Sequence, residues 1–264
     1  MPQQFDHIEP CMGTVFRFTG RTELDQASFD EAIFRACATL HAADEIFSLY
    51  KPESPLSRLA RGETSVAQCP PIVDQIWDAC EGWERLTDGW FKAFTPQHTF
   101  DPSGLVKTWA AREAARVLEQ AGVSDFALNA GGDVWLADGL IRGINWNIAI
   151  SKPVTIASPD AGVLTVFDLN DTGMRAVATS GSAERGNHIW NPKNPDAVQQ
   201  ELVQVTVIAD DLVRADVWAT AAFAEGPRAI ERLNREAELE ALFVFTDGQL
   251  AGTDGLIPLF AKAE

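Results

Sequence analysis

Apolar positions recur along the chain with two periods, which separate predicted helices from predicted strands. Recurrence every three or four residues predicts amphipathic helices over residues 25 to 47, 71 to 87, 105 to 120, 214 to 225 and 227 to 236. Alternation, or a short β-rich run, predicts strands over residues 14 to 19, 126 to 129, 134 to 136, 146 to 150, 163 to 168, 175 to 179, 203 to 208, 242 to 245 and 250 to 251. Ser54 followed by Pro55 predicts the start of a further short helix.

The turn residues and the order of the elements indicate the fold class. Gly131-Gly132-Asp133 lies between two predicted strands and indicates a hairpin, and residues 246 to 249 do the same near the end of the chain. Strands and helices are grouped rather than strictly alternating, which favours an α+β fold of antiparallel β-sheets packed with helices. A length of 264 residues permits one large unit or two closely packed halves. Because no repeat or low-complexity linker interrupts it, we expect a single domain over residues 1 to 264.

Composition and charge restrict the partners. Hydrophobic residues make up 46% of the chain, including eight Trp and fifteen Phe, which is enough for a sizeable core. The formal net charge of −17 repels nucleic-acid phosphate and anionic lipid, so we expect no nucleic-acid partner. An anionic ligand would need a metal ion, a lone basic residue or helix amino termini to bind this chain.

Cysteine usage and the start of the chain indicate the compartment. The four cysteines have no CxxC spacing, and Cys37 and Cys80 fall in apolar helical patterns where buried thiols are common, so a disulfide scaffold is not expected. The first residues are neither basic nor apolar, and no run of about 18 apolar residues occurs. These features predict a cytoplasmic protein without membrane insertion, unless an export signal has been removed.

Familiar catalytic motifs are absent, and the residues that suggest chemistry each have a second interpretation. The chain has no dinucleotide-binding glycine motif, P-loop, zincin motif or hydrolase elbow. Asp216 and Thr220 are four residues apart in a predicted helix, so their oxygens share one face and suit a hard cation. Alternatively, Asp216 serves the positive first turn of the helix and Thr220 bonds back to a carbonyl.

Three other polar residues are also open to more than one interpretation. His188, at the edge of a polar, Gly-rich loop, is a general base, a phosphate donor or an ordinary loop residue. Ser180 precedes Gly181, which favours a turn over a nucleophile. Lys107, in the first turn of the third long helix, either holds a phosphate together with the helix dipole or is a solvated lysine.

Six short motifs, taken in order, carry more information than any one of them. They are Met12-Gly13-Thr14, the segment from Ser48 to Leu59, Asp101 to Lys107, Asn129 to Asp133, Thr179 to Gly181 with His188 and Ile189, and Ala215-Asp216 with Ala219-Thr220. In this order they resemble the motifs of the ApbE family of FAD:protein FMN transferases, over residues 12 to about 226. The resemblance implies a magnesium-dependent enzyme that binds FAD, attaches FMN through a phosphoester to Thr or Ser of an acceptor protein and releases AMP.

The resemblance also implies roles for individual residues. The expected Mg²⁺ ligands are Asp216, Thr220 and the carbonyl of Ala110. His188 is the expected proton acceptor, and Asp216 is counted with it as catalytic. The positions expected to contact FAD are Met12, Tyr50, Trp90, Phe91, Lys107, Glu113 and Ile189. We further expect Tyr50 and Trp90 to enclose a ring of FAD.

Three positions depart from the family pattern by losing a carboxylate: Lys92, Arg112 and Asn191. These departures keep two other functions open. The same site could hydrolyse FAD to FMN and AMP, with water in place of the acceptor hydroxyl, or the protein could bind FAD without catalysis. The sequence does not name the acceptor protein or the oligomeric state.

Overall fold

The computed structural model describes residues 2–137, 147–153, 162–170, 172–181, 189–194 and 201–262. The fold is α+β with antiparallel sheets and helices, as the grouping of elements predicts. Two compact units are distinguished: Met1–Leu86 with Lys92–Arg142, and Thr87–Phe91 with Gly143–Glu264. The expectation of a single domain over residues 1 to 264 stays a prediction.

In its described part, the first unit combines a meander of four strands with four helices. Its strands are β1 (Gln3–Cys11), β2 (Thr14–Thr22), β3 (Asp125–Ala130) and β4 (Asp133–Leu136), each antiparallel to the next. Its helices are α1 (Gln26–Phe47), α2 (Pro55–Ala60), α3 (Pro71–Leu86) and α4 (Ser103–Gln120), with a 3-10 turn at Val66–Gln68. The apolar stripe of α1 packs against α4 and β1, and α4 also contacts β3.

Local sequence signals account for the boundaries of several of these elements. Asp25 caps α1 by accepting the Ser28 amide, and Ser54 caps α2, with Pro55 in its first turn. The predicted hairpin at Gly131-Gly132 is confirmed, since β3 and β4 pair from Ala130 and Asp133 around these two glycines. Both have positive φ, at 63° and 102°, a conformation that glycine adopts without a steric penalty.

β1 is a strand that the periodicity did not predict. It pairs with β2 from Gln3 opposite Thr22 to Cys11 opposite Thr14, through a two-residue turn at Met12 and Gly13. Its positions alternate between exposed and half-buried rather than between exposed and buried. A strand whose inner face carries several polar residues gives only a weak apolar alternation.

The described residues of the second unit form six strands and two helices. The strands are β5 (Asn147–Ser151), β6 (Val163–Asp168), β7 (Ala176–Gly181), β8 (Leu202–Ala209), β9 (Leu239–Phe245) and β10 (Leu250–Gly252). β7, β8, β9 and β10 pair consecutively and antiparallel, and β5 and β6 form a separate two-stranded antiparallel sheet. The helices are α5 (Leu212–Glu225) and α6 (Ala229–Leu233), with a 3-10 turn at Ile257–Leu259.

β8 is the core strand of this second unit. All its positions from Leu202 to Ala209 are buried, which identifies a strand covered on both faces. α5 packs against β7 and β8 through its alanine-rich surface. The predicted terminal hairpin is confirmed by β9 and β10, whereas α6 is shorter than the predicted helix over residues 227 to 236.

In the parts of the chain that the structure describes, no helix is both long and apolar enough to cross a lipid bilayer.

Candidate functional site

Asp216 and Thr220 lie on one face of α5 in the second unit. Asp216 is buried, with 6% of its surface exposed, and Thr220 is half-buried. The Thr220 hydroxyl lies 3.1 Å from the hydroxyl of Ser180, the penultimate residue of β7. A carboxylate and two hydroxyls thus occupy the α5 and β7 surfaces that pack together.

The capping interpretation of Asp216 does not match the structure. Asp211 is the N-cap of α5, and its carboxylate accepts the backbone N–H groups of Val213 and Arg214 at 2.9 Å and 3.2 Å. Asp216 lies beyond the first turn, which contains no acidic residue. The helix amino terminus is therefore satisfied by Asp211, and the burial of Asp216 needs another explanation.

Ser180 was expected in a turn, and that expectation is wrong. It is a buried residue of β7, paired with Val205 of β8. Gly181 follows it in the strand, and a Cβ at this position would lie 2.5 Å from the carbonyl oxygen of Val203. Ser180 and Gly181 therefore belong to a tightly paired strand end, which the turn preference of Ser-Gly in isolation does not reveal.

β7 and β8 carry further polar side chains besides Ser180. Thr179 and Thr206 are cross-strand partners whose hydroxyls lie 2.9 Å apart, and Gln204 donates its amide to Thr206 at 3.3 Å. Thr206 and Gln204 are buried. Because successive residues of a strand point to opposite faces, these three side chains lie on the face of β7 and β8 opposite to Ser180, and they are not part of the group formed by Asp216, Thr220 and Ser180.

Trp90 and Phe91 also belong to the second unit. Lys193 lies over the Trp90 ring, with Nζ 4.5 Å from the ring centroid, and forms an ion pair with Asp88 at 3.0 Å. The Trp90 Nε1 atom is buried and has no hydrogen-bond partner among the described residues. Phe91 is buried, so its side chain contributes to the core rather than to an open surface.

α4 carries three of the expected site residues, Lys107, Ala110 and Glu113, which are spaced three residues apart. Lys107 forms an ion pair and hydrogen bond with Asp133, which begins β4 and is 2% exposed. Ala110 is fully buried within the helix, where its carbonyl also accepts the amide four residues later. Glu113 pairs with Arg116. Lys107 is thus not the solvated lysine of the simpler interpretation.

The β1–β2 turn, the β3–β4 turn and the serine-rich segment from Ser48 to Ser57 contain the remaining motifs of the first unit. A Cβ on Gly131 would lie 2.3 Å from the Thr14 hydroxyl, so the β3–β4 turn approaches the β1–β2 turn closely. The carbonyl of Ser48 accepts the hydroxyls of Ser54 and Ser57, which ties the end of α1 to the start of α2.

The other expected FAD contacts differ in exposure. Tyr50 projects from the tied segment with 97% of its surface exposed, and Met12 is half-buried in the β1–β2 turn with a φ of 53°. Ile189 is half-buried in the second unit. His188 lies outside the described residues.

The three departures from the family pattern each have a structural use. Lys92 pairs with Glu84 at 3.5 Å. The Arg112 guanidinium lies 3.6 Å from the centroid of the Trp135 ring, an arrangement in which the cation is attracted by the aromatic face. Asn191 accepts the amides of Lys193 and Asn194 in a local turn.

Comparison with known proteins identifies the relatives of this chain. The model of the ApbE family matches residues 92–243, more than half of the chain. Proteins named FAD:protein FMN transferase from Klebsiella pneumoniae and Escherichia coli are each 29% identical to it, over 167 and 161 residues. These matches cover 58% of this chain and 45% and 44% of the two relatives. The chain therefore spans about half the length of the curated relatives it matches.

Solved structures show the same fold over nearly the whole chain. Flavinyl transferase ApbE from Pseudomonas stutzeri, in its apo form, matches with a TM-score of 0.82 and 21% identity, covering 100% of this chain and 98% of its own. The ApbE protein from Thermotoga maritima matches with a TM-score of 0.80 and 17% identity, covering 98% and 100%. The ordered motifs, the α+β fold and the family match agree, and the chain belongs to the ApbE family.

Proposed function

We propose that this protein is a magnesium-dependent FAD:protein FMN transferase. The observation that carries the proposal is the grouping of Asp216 and Thr220 on α5 with Ser180 on β7, in a helix whose cap is supplied by Asp211. The family membership of the chain and the names of its relatives support the flavin substrate.

The oxygen donors of this group suit a magnesium ion. Mg²⁺ prefers carboxylate, hydroxyl and carbonyl oxygens and commonly keeps positions for water and substrate phosphate. Asp216 would supply the charge and Thr220 a neutral ligand, while Ser180 would orient the Thr220 hydroxyl. The Ala110 carbonyl, which the family resemblance adds to the set, retains a second lone pair beyond its helical hydrogen bond.

The proposed reaction transfers one half of FAD to a protein hydroxyl. The hydroxyl oxygen of Thr or Ser in the acceptor attacks the phosphorus of the FMN half, the bond between that phosphorus and the bridging oxygen breaks, and AMP leaves with that oxygen. His188 would accept the hydroxyl proton. When bound, magnesium would neutralise negative charge on the pyrophosphate and on the departing AMP.

The remaining predicted residues would bind FAD rather than take part in the chemistry. Trp90 and Tyr50 offer aromatic faces, which attract a flavin or adenine ring without adding charge to an acidic protein. Lys107 would place a positive charge near phosphate while Asp133 holds its ammonium group in position. Met12, Glu113 and Ile189 complete the proposed contacts, together with the main chain at Phe91, whose buried ring belongs to the core.

The central test compares Asp216→Asn with Asp211→Asn. The first removes the proposed ligand charge, whereas the second changes the net charge equally but leaves a residue that caps helices well. Asp216→Asn should lower the rate of AMP release by about 100-fold or more, because several kcal/mol of transition-state stabilisation are lost with the metal ligand. Asp211→Asn should retain near wild-type turnover. AMP release from FAD during a Mg²⁺ titration is the measurement, with circular dichroism as the check on folding.

Product analysis distinguishes the proposed transferase from its two alternatives. The chain is co-expressed with an acceptor protein that a relative flavinylates, and covalent flavin is detected by fluorescence in a denaturing gel. A fluorescent acceptor supports transfer, whereas free FMN with AMP and no labelled acceptor indicates hydrolysis. Bound FAD that is never turned over indicates a flavin carrier. Equal activity and equal metal dependence in the two Asp variants would reject the proposed metal site.

A further inference from the structure

A row of side chains that includes His, Glu and Cys lies between β1 and α1 in the first unit, and it contains none of the residues proposed for flavin chemistry. Every second residue of β1 points to one face of the strand, and every fourth residue of α1 returns to one stripe of the helix. These two surfaces contribute Phe5, His7, Glu9 and Cys11 from β1 and Phe29, Ile33, Cys37 and His41 from α1. Contact between the Phe5 and Phe29 rings, with centroids 4.6 Å apart, aligns the start of the two surfaces.

Three of these side chains converge on one point. The Nε2 atom of His7 lies 3.3 Å from the Cys37 sulfur and 3.4 Å from Oε2 of Glu9. One ligand atom of each residue lies within 4.8 Å of the others, and this is the one group of three or more His, Cys, Asp or Glu residues found to do so among the described residues. An imidazole, a thiol and a carboxylate form a set that binds a borderline-soft cation.

The two separations from His7 Nε2, 3.3 Å to the Cys37 sulfur and 3.4 Å to Glu9 Oε2, are close to those between ligands of a tetrahedral zinc ion, and all three ligand atoms lie within 4.8 Å of one another. Bonds of about 2.0–2.1 Å to nitrogen or oxygen and about 2.3 Å to sulfur, at tetrahedral angles, place neighbouring ligand atoms roughly 3.3–3.6 Å apart. We propose that His7, Glu9 and Cys37 form a Zn²⁺ site that joins β1 to α1. Binding would release the thiol proton of Cys37, so that zinc would be held by a thiolate, a carboxylate and a neutral imidazole.

His41 and Cys11 provide an outer layer of contacts that orients the carboxylate ligand. The second oxygen of Glu9 lies 2.8 Å from Nε2 of His41, and Nδ1 of His41 lies 3.5 Å from the Cys11 sulfur. In the arrangement that satisfies both contacts, Nε2–H donates to Glu9 and Nδ1 accepts from the Cys11 thiol. Hydrogen bonds of this kind hold a metal-binding carboxylate in one orientation.

Exposure indicates a site that an ion can reach from solvent. The His7 side chain is 35% exposed and the Glu9 side chain 21%, whereas Cys37 is buried. Three protein ligands leave a fourth position for water, as in open zinc sites. The thiol distinguishes this group from the all-oxygen group of Asp216, Thr220 and Ser180, so the two sites should select different metals.

Metal titration of the full chain, with its thiols kept reduced, tests the proposal. Metal-free protein should bind one Zn²⁺ ion per chain, and this binding should require His7. Elemental analysis after gel filtration in excess Mg²⁺ measures the bound zinc. At a free concentration about 100 times the dissociation constant, Zn²⁺ should raise the Tm by about 5 °C. Co²⁺ should give a sulfur-to-metal charge-transfer band together with the visible bands of a tetrahedral ion.

Graded variants separate ligands from neighbours. Cys37→Ala should abolish the charge-transfer band, and His7→Gln and Glu9→Gln, which change half-exposed side chains, should each remove the Tm increase. His41→Gln should weaken Zn²⁺ binding by roughly 10-fold, as expected for a group that orients a ligand. Cys69→Ser and His98→Asn, which remove a thiol and an imidazole elsewhere, should bind Zn²⁺ like the wild type.

The outcome is independent of the proposed flavin chemistry. Asp216→Asn should retain full Zn²⁺ binding even if it loses all turnover of FAD. Absence of Zn²⁺ binding by the wild type, or binding of equal strength in His7→Gln, Glu9→Gln and Cys37→Ala, would overturn the proposal and leave these side chains as a hydrogen-bonded network only.

Discussion

Met12 has a backbone conformation that residues with long side chains seldom adopt. Its φ of 53° and the φ of 69° at Gly13 are both positive, as required in the tight two-residue turn between β1 and β2. A residue other than glycine in this region costs on the order of 1–3 kcal/mol, and such strain is concentrated at functional sites. The family resemblance places Met12 at FAD, which gives the strained residue a reason to be retained.

We therefore predict opposite effects of Met12→Asn on stability and on binding. Asparagine tolerates positive φ, so the free energy of unfolding in urea should rise by about 1 kcal/mol. FAD affinity, measured by quenching of flavin fluorescence, should fall because the thioether is lost. Glu238→Asn is the control, since Glu238 is exposed and has a φ of 51°. It should stabilise the protein without changing FAD affinity, and an unchanged affinity in Met12→Asn would remove Met12 from the site.

Trp90 offers a hydrogen-bond donor that no described residue uses. Its buried Nε1 atom has no partner in the described part of the chain, while its ring lies beneath Lys193. Trp90→Phe keeps an aromatic ring and removes the donor, so we predict a loss of FAD affinity of about 1 kcal/mol, or roughly 5-fold. Fluorescence quenching by the two proteins measures the difference.

Two comparisons show whether this donor serves the ligand. Trp77→Phe is the control, because the Trp77 indole already donates to Glu81. It should lower stability and leave FAD affinity unchanged. Tyr50→Ala should behave in the opposite way, since a side chain that is 97% exposed contributes little to folding and can still stack on FAD. If Trp90→Phe binds FAD as tightly as the wild type, the indole N–H has no role in binding.

At the scale of the element, the pairing of β2 with β3 depends on a glycine. A Cβ on Gly20 would lie 2.2 Å from the carbonyl oxygen of Asp125 and 2.7 Å from Cα of Phe126. Both atoms belong to the backbone of β3, so the strands would have to separate to admit the methyl group. In α3, by contrast, the nearest atom to a Cβ on Gly82 is the end of the flexible Arg85 side chain at 4.0 Å.

These two glycines predict opposite responses to the same substitution. Gly20→Ala should lower the free energy of unfolding by about 1–3 kcal/mol through overpacking. Gly82→Ala should raise it by about 1 kcal/mol, because alanine is the better helix former. Chemical denaturation of both variants under the same conditions measures the contrast. If Gly20→Ala is as stable as the wild type, the backbones of β2 and β3 are farther apart than these distances indicate.

At the scale of the whole molecule, acidity and pH should control stability. The net charge of −17 produces self-repulsion at neutral pH. Asp125 is a second reason for lower stability at neutral pH. The residue is 1% exposed, and neither oxygen of its carboxylate has a hydrogen-bond partner among the described residues. Burial raises the pKa of Asp125, although the positive charge of Arg21 opposes the shift.

The direction of each pKa shift determines the sign of its effect on stability. Because the folded-state pKa of Asp125 is raised, its contribution is complete below the ordinary carboxyl pKa of about 4 and is lost as pH rises through the higher folded value. Hydrogen bonds from Arg17 and Lys193 lower the pKa of Asp6 and Asp88, respectively. Their contributions are present above about pH 4 and are lost as pH falls through the lowered values.

We predict a stability maximum at mildly acidic pH. The Tm should rise as pH falls from neutral towards about 4, because self-repulsion decreases and because the raised pKa of Asp125 favours the folded state at lower pH, and it should fall below about pH 4. Asp125→Asn should raise the Tm at neutral pH and flatten the alkaline side of the profile. Thermal melts across this range measure both effects. A lower Tm for Asp125→Asn at neutral pH would mean that the ionised carboxylate stabilises the fold.

The sequence alone determined the features that depend on neighbouring residues. The helical period of α1, the start of α2 at Ser54 and Pro55 and the hairpin at Gly131-Gly132 were predicted because each depends on signals within one or two turns of chain. The helical spacing of Asp216 and Thr220 was predicted for the same reason. Motif order predicted the family, which the family match confirms.

Only the tertiary structure decided which distant residues meet. Ser180 contacts Thr220 across 40 positions of sequence, His7 meets Cys37 across 30, and the pairing of Lys107 with Asp133 depends on the placement of α4 beside β4. No local window contains these contacts, because they follow from strand register and from the face that a helix turns toward its sheet. β1 was missed for the same reason: its inner face is polar, and only its partners β2 and α1 define it as a strand.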